Sequence, residues 1–204
     1  MLTSVEAKFG KNMALLAAIS LVVSIAINVI IGDTDTSQPN LLLALVDFVG
    51  NFALIIVITY SMKLFNLDEE PFIKAIGSIA VIGVTIAMLT DLSPSLTSGG
   101  FGPVGFTPTQ VSEIKNAVES GAWIIMPLFV LLISLKYRGN MLPSWGGLGG
   151  IVAGALIVLL HILALTGLAT GLDNVLWPVW LIAGLIGFPL WSLGMSQAFG
   201  SKIS

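Results

Sequence analysis

The chain contains no cysteine. Disulfides, thiolate nucleophiles and cysteine-ligated zinc or iron–sulfur centres are therefore excluded, and the redox compartment is left open. Charge is scarce as well: Asp, Glu, Lys and Arg make up 9% of 204 residues, against about a quarter in soluble domains. His161 is the only histidine, so a bis-histidine haem cannot be built. Every lysine lies at a segment end or in a loop, which removes the deep lysine that a retinal pump requires. No serine stands in a glycine-flanked nucleophile motif. A diaspartyl protease lacks its second deep aspartate, because Asp91 falls at a segment boundary. The net charge of −3 is spread over short loops, so nucleic acid is not an expected partner. Enzymatic chemistry ranks last for want of a nucleophile–base pair.

Apolar sequence fills the space those residues leave. The chain is 56% hydrophobic with a mean hydropathy of +1.01, and it divides into six segments long enough to cross a hydrocarbon core, which takes about 20 residues each. The expected fold is all-α: a polytopic bundle of six transmembrane helices in one domain over 1–204, at about 12–32, 41–65, 72–92, 108–137, 146–168 and 174–198. The lipid bilayer is its first partner. Lys8 and Lys11 ahead of an apolar run with Ser24-Ile25-Ala26 have the pattern of a signal peptide. The run continues through Val29-Ile30-Ile31, however, which reads as a retained span. Thr107-Pro108 with Gln110 matches a capping box with proline at the first helical position. The three turns after it are amphipathic, and Pro127 should kink that helix. Pro127-Leu128-Phe129 is similar to Pro189-Leu190-Trp191, which leaves a two-helix repeat open.

With the N-terminus cytoplasmic, Lys8, Lys11, Lys63, Lys74, Lys136, Arg138 and Lys202 lie inside and Lys115 alone lies outside. The positive-inside rule therefore puts both termini in the cytoplasm, in the plasma (inner) membrane. Tyr60, Tyr137, Trp145 and Trp191 then fall near the inner interface, Trp177 and Trp180 near the outer one. The longest connection, Ser93 to Phe106, is external.

Polar and small residues recur at helical spacing. Gly146, Gly150 and Gly154 share one helix face and predict close approach of another backbone, as do Ala14 and Ala18. Ser20, Ser24 and Asn28 form a polar stripe on the first segment, and Asp47 and Asn51 lie one turn apart beside Gly50 on the second. At about 1.5 Å of rise per residue, Ser24, Asn28, Asp47, Asn51 and His161 cluster in the outer half. A carboxylate within the hydrocarbon region costs at least about 2.5 kcal/mol and is by default functional. His161 is the only buried base to partner Asp47. The alternative is that Asp47, Asn51 and His161 only hold helices together. Glu119 lines the entrance, within an acidic mouth of Asp33, Asp35, Asp91, Glu113 and Asp173. No metal site is expected from Asp47, Asn51 and His161, whose spacing is weak, and the cofactors are left undetermined.

The expected function is non-enzymatic: binding or passing a small solute or cation through Asp47, Asn51, His161, Asn28, Ser24 and Glu119. The alternative is a structural or assembly subunit whose Gly and Ala faces pack other membrane subunits or a second copy.

Leu142-Pro143-Ser144-Trp145-Gly146-Gly147-Leu148-Gly149-Gly150 resembles the turn between helices four and five of uncharacterised six-helix prokaryotic membrane proteins, and Trp180 to Gly194 resembles their last helix. That resemblance carries no activity. Ala14-Leu15-Leu16-Ala17-Ala18-Ile19-Ser20 resembles the first helix of the S components of energy-coupling vitamin transporters. It implies Ala14 and Ala18 as docking residues for a partner subunit and nothing about a ligand.

Overall fold

A computed structural model of the chain describes residues 2–31, 41–91, 108–168 and 173–203. Six helices follow in order: α1 (Ser4–Ile31), α2 (Leu41–Leu64), α3 (Pro71–Thr90), α4 (Pro108–Tyr137), α5 (Ser144–Leu165) and α6. The last is α-helical over Asp173–Leu181, widens to a π-helix over Ile182–Gly187 and returns to α over Phe188–Gly200. A single 3-10 turn, Leu67–Glu69, joins α2 to α3. Among the described residues there is no strand, so the fold is all-α.

Local chemistry sets the helix ends. α1 begins at Ser4, well before the expected start near Asn12, because Thr3 and Glu6 form a capping box. The Thr3 amide donates to Glu6 Oε2 at 2.8 Å, and the Glu6 amide donates to Thr3 Oγ1 at 3.2 Å. Pro71 opens α3 at a position whose amide has no helical acceptor anyway. α5 stops at Leu165 rather than near 168. Gly167 follows its C-cap with φ of 73°, and the Gly167 amide donates to the Ala164 carbonyl at 3.1 Å, the left-handed ending that favours glycine. Pro189 cannot donate to the carbonyl one turn earlier. The π segment ends at Gly187, two residues before it, and takes up the mismatch in the hydrogen-bond ladder.

Each helix packs on its neighbours in sequence, and α6 closes back on α1, so the six form a ring. Glycine permits the closest approaches. A Cβ at Gly146 would stand 2.7 Å from the Gly194 Cα of α6, and one at Gly154 would stand 2.6 Å from the Pro127 carbonyl oxygen of α4. Gly150 is flanked by Ser134 of α4 and Trp191 of α6 instead. α5 is thus wedged between α4 and α6. Ala14 and Ala18, 0% and 5% exposed, are buried within the ring. The docking face implied by the first-helix resemblance is therefore occupied inside this chain.

Outward-facing positions are apolar: Ile82, Leu135 and Leu159 are all exposed, whereas Asn51, Asp91 and Ser192 are buried. That distribution is the reverse of a water-soluble bundle. Among the described residues, five stretches are long and apolar enough to cross a membrane, namely Ser4–Ile27, Leu42–Leu64, Pro71–Thr90, Ser144–Leu165 and Val175–Gly200, and Gly121–Tyr137 is a shorter apolar helix.

One end of the ring carries both chain ends, with Ser4 Oγ 3.5 Å from the Ile203 carbonyl oxygen. Ion pairs join Lys63 to Glu6, Lys74 to Asp68 and Lys136 to Glu70 there. Lys74 holds the Asp68 carboxyl below its usual range. Residues 32–40, 92–107 and 169–172, which include the loop Ser93 to Phe106, lie outside the described residues.

Candidate functional site

Five helices and the C-cap residue of α3 line a cavity of about 280 Å³ toward the end opposite the termini. α1 contributes Ser20 and Ser24, and α2 contributes Asp47 and Asn51. Each pair is four residues apart, hence on one helix face. Gly50 brings these two helices together: a Cβ there would lie 3.0 Å from that of Ser20. α5 adds His161, and α6 adds Ser192 and Trp180. Of the six residues expected to bind a ligand, the cavity therefore gathers Ser24, Asp47, Asn51 and His161. Asn28 lies on α1 and Glu119 on α4, with side chains outside the described residues. The same holds for the mouth residues Asp33, Asp35, Glu113 and Asp173.

Asp91 requires a correction. Its place at the end of an apolar run suggests a boundary residue in a solvated mouth. In the structure it follows α3 as the C-cap, is 2% exposed and lines the cavity. Asn51 Nδ2 donates to Asp91 Oδ2 at 2.8 Å. Asn51 is roughly 15 Å along α2 from Leu41 at 1.5 Å per residue, so α3 ends well below the level at which α2 begins. A hydropathy run gives a helix length but not its offset from the next helix.

His161 is half-buried, and its Nδ1 lies 2.9 Å from the Ile157 carbonyl oxygen one turn back. A carbonyl only accepts, so Nδ1 carries the proton, which turns Nε2 away from that bond. Asp47 is also half-buried on the cavity wall.

Two further groups escaped the sequence reading. Trp180, read there as an interface residue, lines the cavity and stacks on Trp177 with ring centroids 5.3 Å apart. Trp123 lines it from α4, one turn before Pro127. Spacing relative to Pro127 was the available signal, since a proline leaves the carbonyl of the residue four back, here Trp123, without its helical donor. Ser192 was missed as well, and its signal was a hydroxyl one turn before Ser196 in an otherwise apolar segment.

Among the described residues, no group of three or more His, Asp or Glu side chains is placed to hold a metal ion. The cavity combines two carboxylates, an amide, an imidazole and three hydroxyls with an otherwise apolar and aromatic wall. Such a lining can orient a small polar molecule, the usual makeup of a ligand site. No family model, no curated protein and no solved structure matches this chain, so neither resemblance transfers a residue role to it.

Proposed function

We propose that the chain is a six-span protein of the plasma (inner) membrane, with both termini cytoplasmic, that binds or passes a small solute or cation through this cavity without chemistry on it. The observation that carries the reading is the convergence of polar groups from α1, α2, α5, α6 and the C-cap of α3 on one cavity with an otherwise apolar wall. Hydrogen bonds serving only as helix glue need two helices and no enclosed space. The competing reading, an assembly subunit, would offer its small-residue faces to partner helices. Gly146, Gly150, Gly154, Ala14 and Ala18 are instead buried within the chain, which favours the binding reading.

The test is thermal stability of the purified protein against a panel of small solutes. A ligand that binds only the folded state raises stability by about 2.7 kcal/mol at a hundred times its dissociation constant. Asp47→Asn and His161→Gln are expected to remain folded and lose that gain. A full solute-induced shift in both variants would remove the site.

Orientation is tested separately. The charged end holding Lys63, Lys74 and Lys136 is taken as cytoplasmic from the positive-inside rule. Because the chain has no cysteine, single substitutions report cleanly. Ser98→Cys should react with a membrane-impermeant maleimide on intact cells and Asn140→Cys should not; the opposite pattern reverses the orientation.

A further inference from the structure

A serine or threonine inside a helix has a bond within reach, to the carbonyl three or four residues earlier. Thr59, Ser61, Ser78, Thr85 and Thr166 all make it. Three serines on the cavity wall do not. Ser20 and Ser24 of α1 and Ser192 of α6 line the cavity, are 7%, 8% and 3% exposed, and have no hydrogen-bond partner among the described residues. The one serine hydroxyl among those residues that is both unpartnered and shut off from open space is that of Ser134. Those of Ser20, Ser24 and Ser192 therefore open onto the cavity. A buried hydroxyl left without a bond is costly, so three on one cavity point to an occupant that bonds them.

A hydroxyl both donates and accepts, and this decides what the occupant carries. Ser20 and Ser24 stand one turn apart on one face of α1, with Cβ atoms roughly 5 to 6 Å apart. Two O–H···O bonds of about 2.7 Å each span that distance. One hydroxyl group on the occupant can thus accept from one serine and donate to the other. Ser192 stands on α6, the neighbour of α1 in the ring, and calls for a second. An ammonium group only donates, and would leave the serine protons without an acceptor. A carboxylate would be buried without a cationic partner, because among the described residues no lysine or arginine lines the cavity. The remaining wall is largely apolar and is filled by carbon. The volume of about 280 Å³ lies under the roughly 300 to 1,000 Å³ of sites for drug-sized ligands, so the molecule is small.

Resting on the binding reading above, we propose that the ligand is a small neutral molecule with at least two hydroxyl groups on a carbon body, bound through the hydroxyls of Ser20, Ser24 and Ser192.

A series of four-carbon probes on the purified wild-type protein tests this: 1-butanol, butane-1,3-diol, n-butylammonium and butyrate. Intrinsic tryptophan fluorescence is the readout, since Trp123 and Trp180 line the cavity. Saturation separates binding from the general stabilisation that excluded osmolytes give. Butane-1,3-diol is expected to saturate the signal at a lower concentration than 1-butanol. Transfer into an apolar space gives the opposite order, because each added hydroxyl costs unless it is bonded. Ser20→Ala, Ser24→Ala and Ser192→Ala are each expected to weaken the diol by about two- to tenfold, as for loss of one neutral hydrogen bond. Ser61→Ala, buried but off the cavity, should leave its affinity unchanged. Binding of 1-butanol as tight as that of the diol would overturn the hydroxyl assignment and leave the binding cavity standing. Tighter binding of n-butylammonium or butyrate would overturn the neutral class, and wild-type diol affinity in all three cavity variants would overturn the serine contacts. If the diol gives no saturable signal while another solute stabilises the wild type and fails with Asp47→Asn, the assignment alone falls. If no solute binds, it falls together with the reading on which it rests. The wild-type series needs no variant to fold.

Discussion

Gly154→Leu is expected to destabilise the protein by at least about 1 to 3 kcal/mol, the range for overpacked cores, and to reduce the yield of folded protein. The reason is that the obstacle is backbone. Even a single added Cβ would meet the Pro127 carbonyl oxygen at 2.6 Å and the Leu131 amide nitrogen at 2.9 Å, and neither can move without shifting α4. Gly154→Ala should therefore already be costly. Gly150→Ala makes an instructive contrast. Its nearest obstacle is the Ser134 hydroxyl at 2.1 Å, with Trp191 Cδ1 at 2.6 Å. The Ser134 Oγ is buried without a hydrogen-bond partner, so deleting it is cheap. Ser134→Ala should recover part of the loss in Gly150→Ala and none of it in Gly154→Ala. Gly121 is the internal control, since a Cβ there meets nothing within 4 Å. Gly121→Ala should leave stability unchanged or raise it by up to about 1 kcal/mol through helix propensity. Thermal unfolding of the purified variants in detergent decides the matter. A melting temperature for Gly154→Leu equal to wild type would mean that α4 and α5 do not meet in solution as they do here.

These contacts show what helical spacing tells a reader and what it leaves out. Glycines at 146, 150 and 154 announce a face on which another backbone can approach, but nothing in the spacing says which backbone. The partners come from α6 at Gly146 and from α4 at Gly154, so one stripe serves two neighbours. Gly149, off that stripe, is equally close to α6, 2.8 Å from the Gly187 carbonyl oxygen by the same construction. The helical segments themselves were legible because uninterrupted apolar runs leave few alternatives. The start of α1 was less so. Thr3 and Glu6 have the same spacing as Thr107 and Gln110, yet Lys8 and Lys11 look like a flank beyond the helix. In the structure they are part of it, and Glu6 pairs with Lys63 across to α2. The π segment had its cue in Pro189, since a proline within a helix demands some local adjustment, but whether that adjustment is a kink or a wider turn depends on packing. Ala183, Gly184 and Gly187 in that segment are buried, and Gly184 faces the cavity. In the site itself, Asp47, Asn51, Ser24 and His161 follow from the cost of polar groups in apolar helices. Asp91 does not, because its depth depends on the offset between α2 and α3.

The second large effect is expected at that offset, and it separates structural bonding from a site. Asn51→Leu removes the amide that donates to Asp91 at 2.8 Å while leaving a carboxylate that is 2% exposed. A hydrogen bond to a charged group contributes about 1.5 to 3 kcal/mol, and a buried charge deprived of a partner costs at the upper end of that range or beyond. Asp91→Asn is milder, because the side-chain carbonyl of the new amide still accepts from Asn51. The double variant Asn51→Leu with Asp91→Leu should be more stable than Asn51→Leu alone, since replacing both members of a buried polar pair by apolar groups is often nearly neutral. The coupling measured by the double-mutant cycle is then expected to be about 0.5 to 3 kcal/mol, as for residues in one hydrogen-bond network. Stability and function part company at this point. If the pair were only glue, the double variant would regain the part of the loss that comes from this hydrogen bond. As part of a binding site, it should regain that part of its melting temperature in the absence of solute and gain nothing from a solute that stabilises the wild type. A double variant that both melts like wild type and keeps the full solute-induced shift would show that Asp91 and Asn51 hold α2 and α3 together and take no part in binding.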